Sequence, residues 1–262
     1  FLWLWLWLWL WSNQEEGQIM VDIHCHILPN VDDGSSSLEL SRQLLINAYK
    51  EGIDAVCITP HFMRLNEYKI KRNELAKLFN EFEESVKDIP VDLYLGNELY
   101  IDSELDTLLL NKEICSLNDS RYVLVEFPFN NYKKEYDEYL YNISLQYKII
   151  IAHPERYHYV QENCDFVNRW LKEGYSLQCN QGSLNHKQTK NVMFKLIEHG
   201  KVSFICSDAH NEYRPLTLID GYNTICKKFN KETADVLFKE NALRVLRDED
   251  LIKLKPVKKK LF

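Results

Sequence analysis

Short runs rich in Val, Ile and Leu recur along this chain at residues 20–23, 55–58, 91–95, 149–151 and 202–205, and each is followed almost at once by metal-binding side chains. Those places hold His24-Cys25-His26, Thr59-Pro60-His61, Asn97-Glu98, Ala152-His153-Pro154-Glu155-Arg156 and Ser207-Asp208-Ala209-His210, with Asp33 one loop beyond the first. A barrel of parallel strands assembles a site in this way, because each strand buries its length and presents its last residue at the C-terminal rim. One such run would carry little information. Repeated from His24 to His210, the pattern points to a multinuclear metallohydrolase.

Side chains alternate faces along a strand, so His24 and His26 point the same way and can grip one cation. Asp208 and His210 repeat that spacing near the other end. With His61, Glu98, Glu126 and His153 added, so many ionisable groups on one rim repel or desolvate each other unless cations neutralise them.

The rest of the chain alternates strand and helix. Strands are expected at 21–26, 54–59, 91–95, 122–126, 148–152, 176–179 and 202–206. Helices are expected at 38–50, 69–87, 103–110, 134–146, 164–172, 186–199 and 231–246. Seven strands with intervening helices imply an α/β fold with a parallel barrel. At 262 residues and 45% hydrophobic, the chain can bury one sizeable core as a single domain, 20–250, followed by a basic tail, 251–262. The cluster Lys258-Lys259-Lys260 reads as part of that solvated tail. Residues 1–11 alternate Leu and Trp almost perfectly. That run lacks a signal peptide's basic start and is shorter than the roughly 20 residues of a membrane span. We read 1–19 as an appendage outside the fold, the rival being an arm for a membrane interface or a partner. No integral membrane span is expected.

Lys+Arg 32 against Asp+Glu 39, a net −7, gives no basic character to attract nucleic acid. Seven cysteines make an odd count, and Cys57, Cys179 and Cys206 lie inside apolar runs, which suits a reducing cytoplasm better than a disulfide framework.

The His-x-His start, Thr-Pro-His, the glutamate of Asn97-Glu98, Ala-His-Pro-Glu-Arg and Ser-Asp-Ala-His together resemble the PHP (polymerase and histidinol phosphatase) superfamily. Within it, Asp22-Ile23-His24-Cys25-His26-Ile27-Leu28-Pro29 and Val31-Asp32-Asp33-Gly34-Ser35 resemble the CpsB/YwqE-type bacterial protein-tyrosine phosphatases. The resemblance runs from residue 20 to about 247. It implies a distorted (β/α)7 TIM-like barrel holding three divalent metal ions. His24, His26, Glu98 and Asp208 would hold one; Glu98 as a bridge, Glu126 and His153 a second; Asp33, His61 and His210 the third. If the loop is shifted by one residue, Asp32 takes the part of Asp33. Glu126 and Asp33 make the set oxygen-rich, which favours manganese, with iron, cobalt or zinc as alternatives.

The resemblance also implies attack on phosphorus by a water activated between two cations. Arg156 and Arg214 would clamp the phosphoryl oxygens, and His210, or a water, would protonate the leaving group. Phe62, Arg64, Tyr68 and Phe129 would form the substrate rim, or the aromatics among them would cap the barrel. The expected partner is a phosphotyrosine protein, the tyrosine-rich tail of a bacterial kinase in capsule or exopolysaccharide control; a homo-oligomer is left open. A histidinol-phosphate phosphatase and a non-catalytic phosphotyrosine-binding module are the rival readings. Cys115 and Arg121 match the C-x5-R spacing of cysteine-dependent phosphatases, but the segment precedes a strand instead of opening a helix.

Overall fold

The structure, a computed structural model, describes residues 19–258; the Leu–Trp run and residues 259–262 lie outside the described residues. The strands are β1 (Met20–Cys25), β2 (Ile53–Ile58), β3 (His61–Phe62), β4 (Asp92–Leu95), β5 (Glu98–Tyr100), β6 (Tyr122–Glu126), β7 (Lys148–Ala152), β8 (Ser176–Asn180) and β9 (Phe204–Cys206). All the strand pairings are parallel, in two sheets ordered β1-β2-β4 and β3-β5-β6-β7-β8-β9.

The seven expected strands are therefore present, and two short unexpected strands, β3 and β5, continue β2 and β4 after a break. Pro60, which has no N–H to give a ladder, separates β2 from β3, and Gly96-Asn97 separates β4 from β5. The Asn97 side chain holds the two breaks together. Its Nδ2 donates to Pro60 O at 2.9 Å, and its Oδ1 accepts from Cys115 N at 2.9 Å. A Cβ on Gly96 would lie 2.7 Å from Leu117 Cδ2, so any larger residue there would have to displace that side chain. The breaks turn His61 and Glu98 onto the second sheet, where they face each other in register.

Between β1 and β9 there is no strand ladder. The barrel closes through one bridge, Cys25 to Ala209, with His26 N donating to Ala209 O (2.7 Å) and Asp208 N to His24 O (2.9 Å). The buried Asp22 carboxylate fills in below, accepting from Ser207 N at 3.2 Å and His24 N at 3.1 Å.

Residues of alternate parity enter two separate apolar clusters: Tyr122, Leu124, Ile150 and Ala152 in one, Val123, Val125, Ile149 and Ile151 in the other. Both strand faces are thus buried, as in sheets covered by helices. Around them run α1 (Leu38–Lys50), α2 (Arg72–Ser85), α3 (Leu105–Leu110), α4 (Glu135–Ser144), α5 (His158–Glu162), α6 (Asn168–Lys172), α7 (Lys187–Glu198), α8 (Ile219–Lys228), α9 (Lys231–Asp235) and α10 (Asn241–Leu246). Helix α1 shows the local logic. Ser37 Oγ caps Leu40 N, the face Ser41, Leu44, Leu45 and Ala48 is buried, and Gly52 at φ 87° ends the run.

Several expected boundaries move. Helix α2 starts at Arg72 rather than at 69, because the preceding residues fold into a rim loop with Met63 N on Tyr68 O. The expected helix 231–246 is α9 and α10 joined by a π-helical turn, Val236–Glu240. Beyond α10 the chain packs back on the barrel, with Ile252 N on Asn241 Oδ1 (2.8 Å) and Val257 N on Glu198 O (2.9 Å). Among the described residues, no helix is long and apolar enough to cross a membrane.

Replacing Asp22 by Ala strands two amides at the seam, the buried His24 N–H and the partly buried Ser207 N–H, at a cost of about 2–3 kcal/mol. The denaturation midpoint should fall accordingly; an unchanged midpoint would show that the seam closes without this carboxylate.

Candidate metal centre

The β1 strand delivers His24 and His26, both fully buried, to the barrel mouth. Their outer nitrogens are already committed. His24 Nδ1 lies 2.9 Å from Gln178 Oε1, and His26 Nδ1 lies 2.7 Å from Asp32 Oδ2; both partners accept, so both Nδ1 atoms carry the proton. The Nε2 atoms consequently turn lone pairs toward each other at 3.2 Å. Two lone pairs that close repel unless a cation or a proton stands between them. His210 is fixed in the same sense, its Nδ1 donating to Asp208 O at 2.9 Å.

The Gln178 amide is itself oriented by a relay. Asp208 Oδ2 accepts from Asn180 Nδ2 (2.5 Å), which leaves Asn180 Oδ1 to accept from Gln178 Nε2 (2.9 Å) and Gln178 Oε1 to face His24. Gln178 and Asn180 repeat on β8 the i, i+2 spacing of His24 and His26 on β1. Polar residues of one parity at the end of an apolar strand were the available signal; amides carry no ligand signature, and the sequence reading passed over them.

Four carboxylates complete the cluster. Glu98 Oε1 lies 3.0 Å from His153 Nε2 and 3.3 Å from His24 Nε2; its Oε2 lies 3.0 Å from His61 Nδ1 and 3.3 Å from His26 Nε2. Asp208 Oδ1 lies 3.4 Å from both His24 and His26 Nε2. Glu126 reaches His153 Nε2 (3.6 Å) and His61 Nδ1 (3.8 Å). Asp33 Oδ1 lies 3.5 Å from His61 Nε2 and 3.7 Å from His210 Nε2. Asp32, by contrast, is used up: besides His26 it accepts from His61 N (2.9 Å) and Gly34 N (3.0 Å). It orients rings, and Asp33 faces the cluster.

The electrostatics are those of a crowded, dry site. Burial pushes the Asp208 and Glu98 carboxyls up, and the surrounding histidines more than reverse this, holding both well below the usual range. Burial, then the charges of Glu98 and Asp208, push Glu126 well above it. Burial drives His153 down to about 4 and, with the His26 charge, His210 down to about 3. Both rings are therefore neutral, with nitrogens free to coordinate.

These groups fit divalent cations. Glu98 Oε2, His61 Nδ1 and His153 Nδ1 are buried without a hydrogen-bond partner. Among the described residues, four overlapping sets bring ligand atoms within 4.8 Å: His26, Asp33, His61 and His210; His24, Glu98 and His153; His24, His26 and Asp208; His61, Glu98 and Glu126. All nine expected ligands are in them. The grouping is less separable than three independent sites, since His24, His26, His61 and Glu98 each belong to two sets. His153 (φ 30°) and Asp208 (φ 53°) adopt left-handed backbone, a strain of about 1–3 kcal/mol each that the surrounding contacts must offset.

The expected rim divides. Tyr68 and Phe129 line a cleft of about 520 Å³ with Asp33, His61, Tyr100 and Glu126. Phe62 does not reach it: at 2% exposed it is a core residue, because the short β3 turns it inward. Arg64 is turned aside too, forming a bidentate pair with Asp102 at 2.7 and 3.0 Å. Arg156 Nη1 (2.9 Å) and Arg214 Nη2 (2.5 Å) converge on Asp208 Oδ2. Cys115 is 4% exposed, its thiol pushed by burial up to about 11, so it is no nucleophile.

The family model for capsular polysaccharide synthesis proteins, CpsB/CapC, matches residues 20–247. The chain belongs to this family. Tyrosine-protein phosphatase YwqE of Bacillus subtilis (strain 168) is 33% identical over 93% of this chain and 99% of that protein. Tyrosine-protein phosphatase CpsB of Streptococcus agalactiae is 31% identical over 87% and 99%. A chain from the crystal structures of YwqE from Bacillus subtilis and CpsB from Streptococcus pneumoniae, described as unique metal-dependent tyrosine phosphatases, superimposes with a TM-score of 0.85 at 32% identity. It covers 91% of this chain and 100% of that one. The phosphotriesterase homology protein of Escherichia coli, at 11% identity, matches with a TM-score of 0.58 over 88% of this chain and 99% of that one, and shows the barrel fold alone.

Because Gln178 fixes His24 from outside the ligand set, Gln178→Leu should weaken divalent-cation affinity about 10- to 100-fold. Calorimetric titration of metal-stripped protein reads this. Gln178→Glu keeps an acceptor for His24 Nδ1 and should lose less; equal losses would contradict the tautomer argument.

Proposed function

We propose that this protein is a metal-dependent protein-tyrosine phosphatase. The observation that carries the reading is the meeting of nine buried or rim-facing ligands with two arginines and an aromatic cleft. Relatives named tyrosine phosphatases, aligned over nearly their whole length, support it. Three divalent ions would be held by His24, His26, Glu98 and Asp208, by Glu98, Glu126 and His153, and by Asp33, His61 and His210. Manganese suits an imidazole set with four carboxylates, with iron, cobalt and zinc the alternatives. When bound, such ions supply Lewis acidity and lower the pKa of bound water.

The protein's own groups do the rest. Arg156 and Arg214 approach from the Asp208 side, and each keeps N–H donors for the phosphoryl oxygens, a planar fork matched to phosphate. Phe129 and Tyr68 wall the place of a phenyl ring and shed water from it. His210 is held neutral, with Nδ1 tied to Asp208 O, so it fits a ligand better than the proton donor expected from sequence. A phenol leaves with a pKa of ~10 and needs less protonation than an alkyl alcohol. We assign the physiological substrate to a phosphotyrosine protein of the capsule system, the tail of a tyrosine kinase, and the location to the cytoplasm. The family's role in capsular polysaccharide synthesis, and cysteines that form no disulfide among the described residues, support these assignments.

Hydrolysis of a phosphotyrosine peptide should require added Mn²⁺ and stop with a chelator. Arg156→Ala should lower kcat/KM about 100-fold, the effect of losing one oxyanion donor. Cys115→Ser should keep full activity. A strong preference for histidinol phosphate over the peptide would replace the substrate assignment. Stoichiometric metal without turnover of any phosphoester would make the protein a binding module.

A further inference from the structure

The ligand cluster opens onto two clefts. The aromatic one reaches Asp33, His61 and Glu126; a second, of about 490 Å³, arrives from the Asp208 side and shares no lining residue with the first. Between them the Arg156 guanidinium lies 4.8 Å over the Phe129 ring, Phe129 facing the first cleft and Arg156 the second. Holding a phenyl phosphate needs the first cleft and only the arginine edge of the second.

The second cleft has the chemistry of an anion site. Arg156 and Arg214 each spend one N–H on Asp208 Oδ2, and because a guanidinium carries five donors, a bidentate hold on the scissile phosphoryl still leaves N–H groups for a second anion. Across from them stands the first turn of α7, which no side chain caps, with His186 and Thr189 in the wall. Unpaired first-turn amides and the helix dipole add to the arginines' preference for negative charge. Two acidic residues share the wall: Asp208, which the arginines and Asn180 already engage, and the exposed Asp220.

The wall is also braced. Buried Glu155 accepts from Asn180 N (2.8 Å) and Ser183 Oγ (2.7 Å), tying the Arg156 loop to the floor. Asn211 Oδ1 accepts from Tyr213 N (3.0 Å) and Arg214 N (3.2 Å), fixing the turn that carries Arg214.

We propose that this second cleft binds an acidic side chain, carboxylate or phosphorylated, that flanks the phosphotyrosine in the substrate peptide. The proposal rests on the phosphatase reading. The stacked Arg156 and Phe129 each line one of the clefts, and an extended peptide advances about 3.3 Å per residue, so near neighbours on one strand can reach both.

The test uses the metal-loaded protein and four versions of one phosphotyrosine peptide, with Glu, a second phosphotyrosine, Ala or Lys two residues from the scissile group. The acidic peptides should exceed the Lys peptide in kcat/KM by about tenfold, the worth of one charge-assisted contact, chiefly through KM. His186→Glu and Thr189→Glu should collapse that ratio; a ratio within one sample cancels differences in folding or metal content. The Glu and second-phosphotyrosine arms show which anion the cleft takes. Ratios near one in the unsubstituted protein, or ratios untouched by both substitutions, overturn the proposal. Fluorescence anisotropy with labelled peptides reads the same preference without turnover. Acid-selective binding without cleavage sinks the phosphatase reading alone, whereas cleavage without selectivity sinks the cleft alone.

Discussion

One buried carboxylate organises this molecule. Glu98 is 1% exposed and stands within 3.3 Å of ring nitrogens from His24, His26, His61 and His153. A lone carboxylate at that depth is strongly unfavourable and needs positive charge beside it. Such a constellation persists in a fold only if cations complete it and if the surrounding frame prevents relaxation. The frame here consists of six strand ends or breaks, each delivering one or two ligands from a different part of the chain, with Asp33 added from the loop beyond β1. The broken β2–β3 and β4–β5 staves serve this purpose, since they place His61 opposite Glu98.

A second layer of contacts keeps the ligands from collapsing on one another. Asp32 and Gln178 hold the outer nitrogens of His26 and His24, and the Asp208 carbonyl holds that of His210. Metal-binding histidines generally need such partners, which fix the ring and its tautomer. Asp208 serves both layers: one oxygen faces the histidines, and the other gathers Asn180, Arg156 and Arg214. The electrostatics of the ligand cluster and of the arginine side are thereby joined through a single residue.

Much of this was legible in the sequence, for a physical reason. An apolar run that stops at His, Asp or Glu is unusual in a soluble chain, and the strand period of two forces His24 and His26 onto one face. The six strand ends and eight of the nine cluster members followed from that, with Asp33 on the loop beyond β1 the exception. Two-residue strands such as β3 carry no periodicity, so the breaks at Pro60 and Gly96-Asn97 were invisible. Helix α8 was missed although Leu218, Tyr222, Ile225 and Phe229 fall at helical spacing, because its glycine and β-branched residues lower its helix propensity. The choice between Asp32 and Asp33 depended on the path of a tight loop, in which a Cβ on Gly34 would lie 1.9 Å from His26 O. Loop path also decided the rim: Phe62 went to the core and Arg64 to Asp102, while Tyr68 and Phe129 stayed at the mouth.

The seam between β1 and β9 has a consequence for how the protein is made. Its one bridge pairs Cys25 with Ala209, so the first stave meets the last, and no earlier pairing can stand in for it. Asp208 and His210 arrive with that closing stave. While the chain is still emerging from the ribosome, His24 and His26 are present but the cluster lacks its final members. Loop closure over nearly the whole domain must therefore precede a complete set of ligands, and long-range closures of this kind are the slow steps of folding. A nascent chain accordingly has an incomplete set of ligands until Asp208 and His210 have emerged and β9 has met β1.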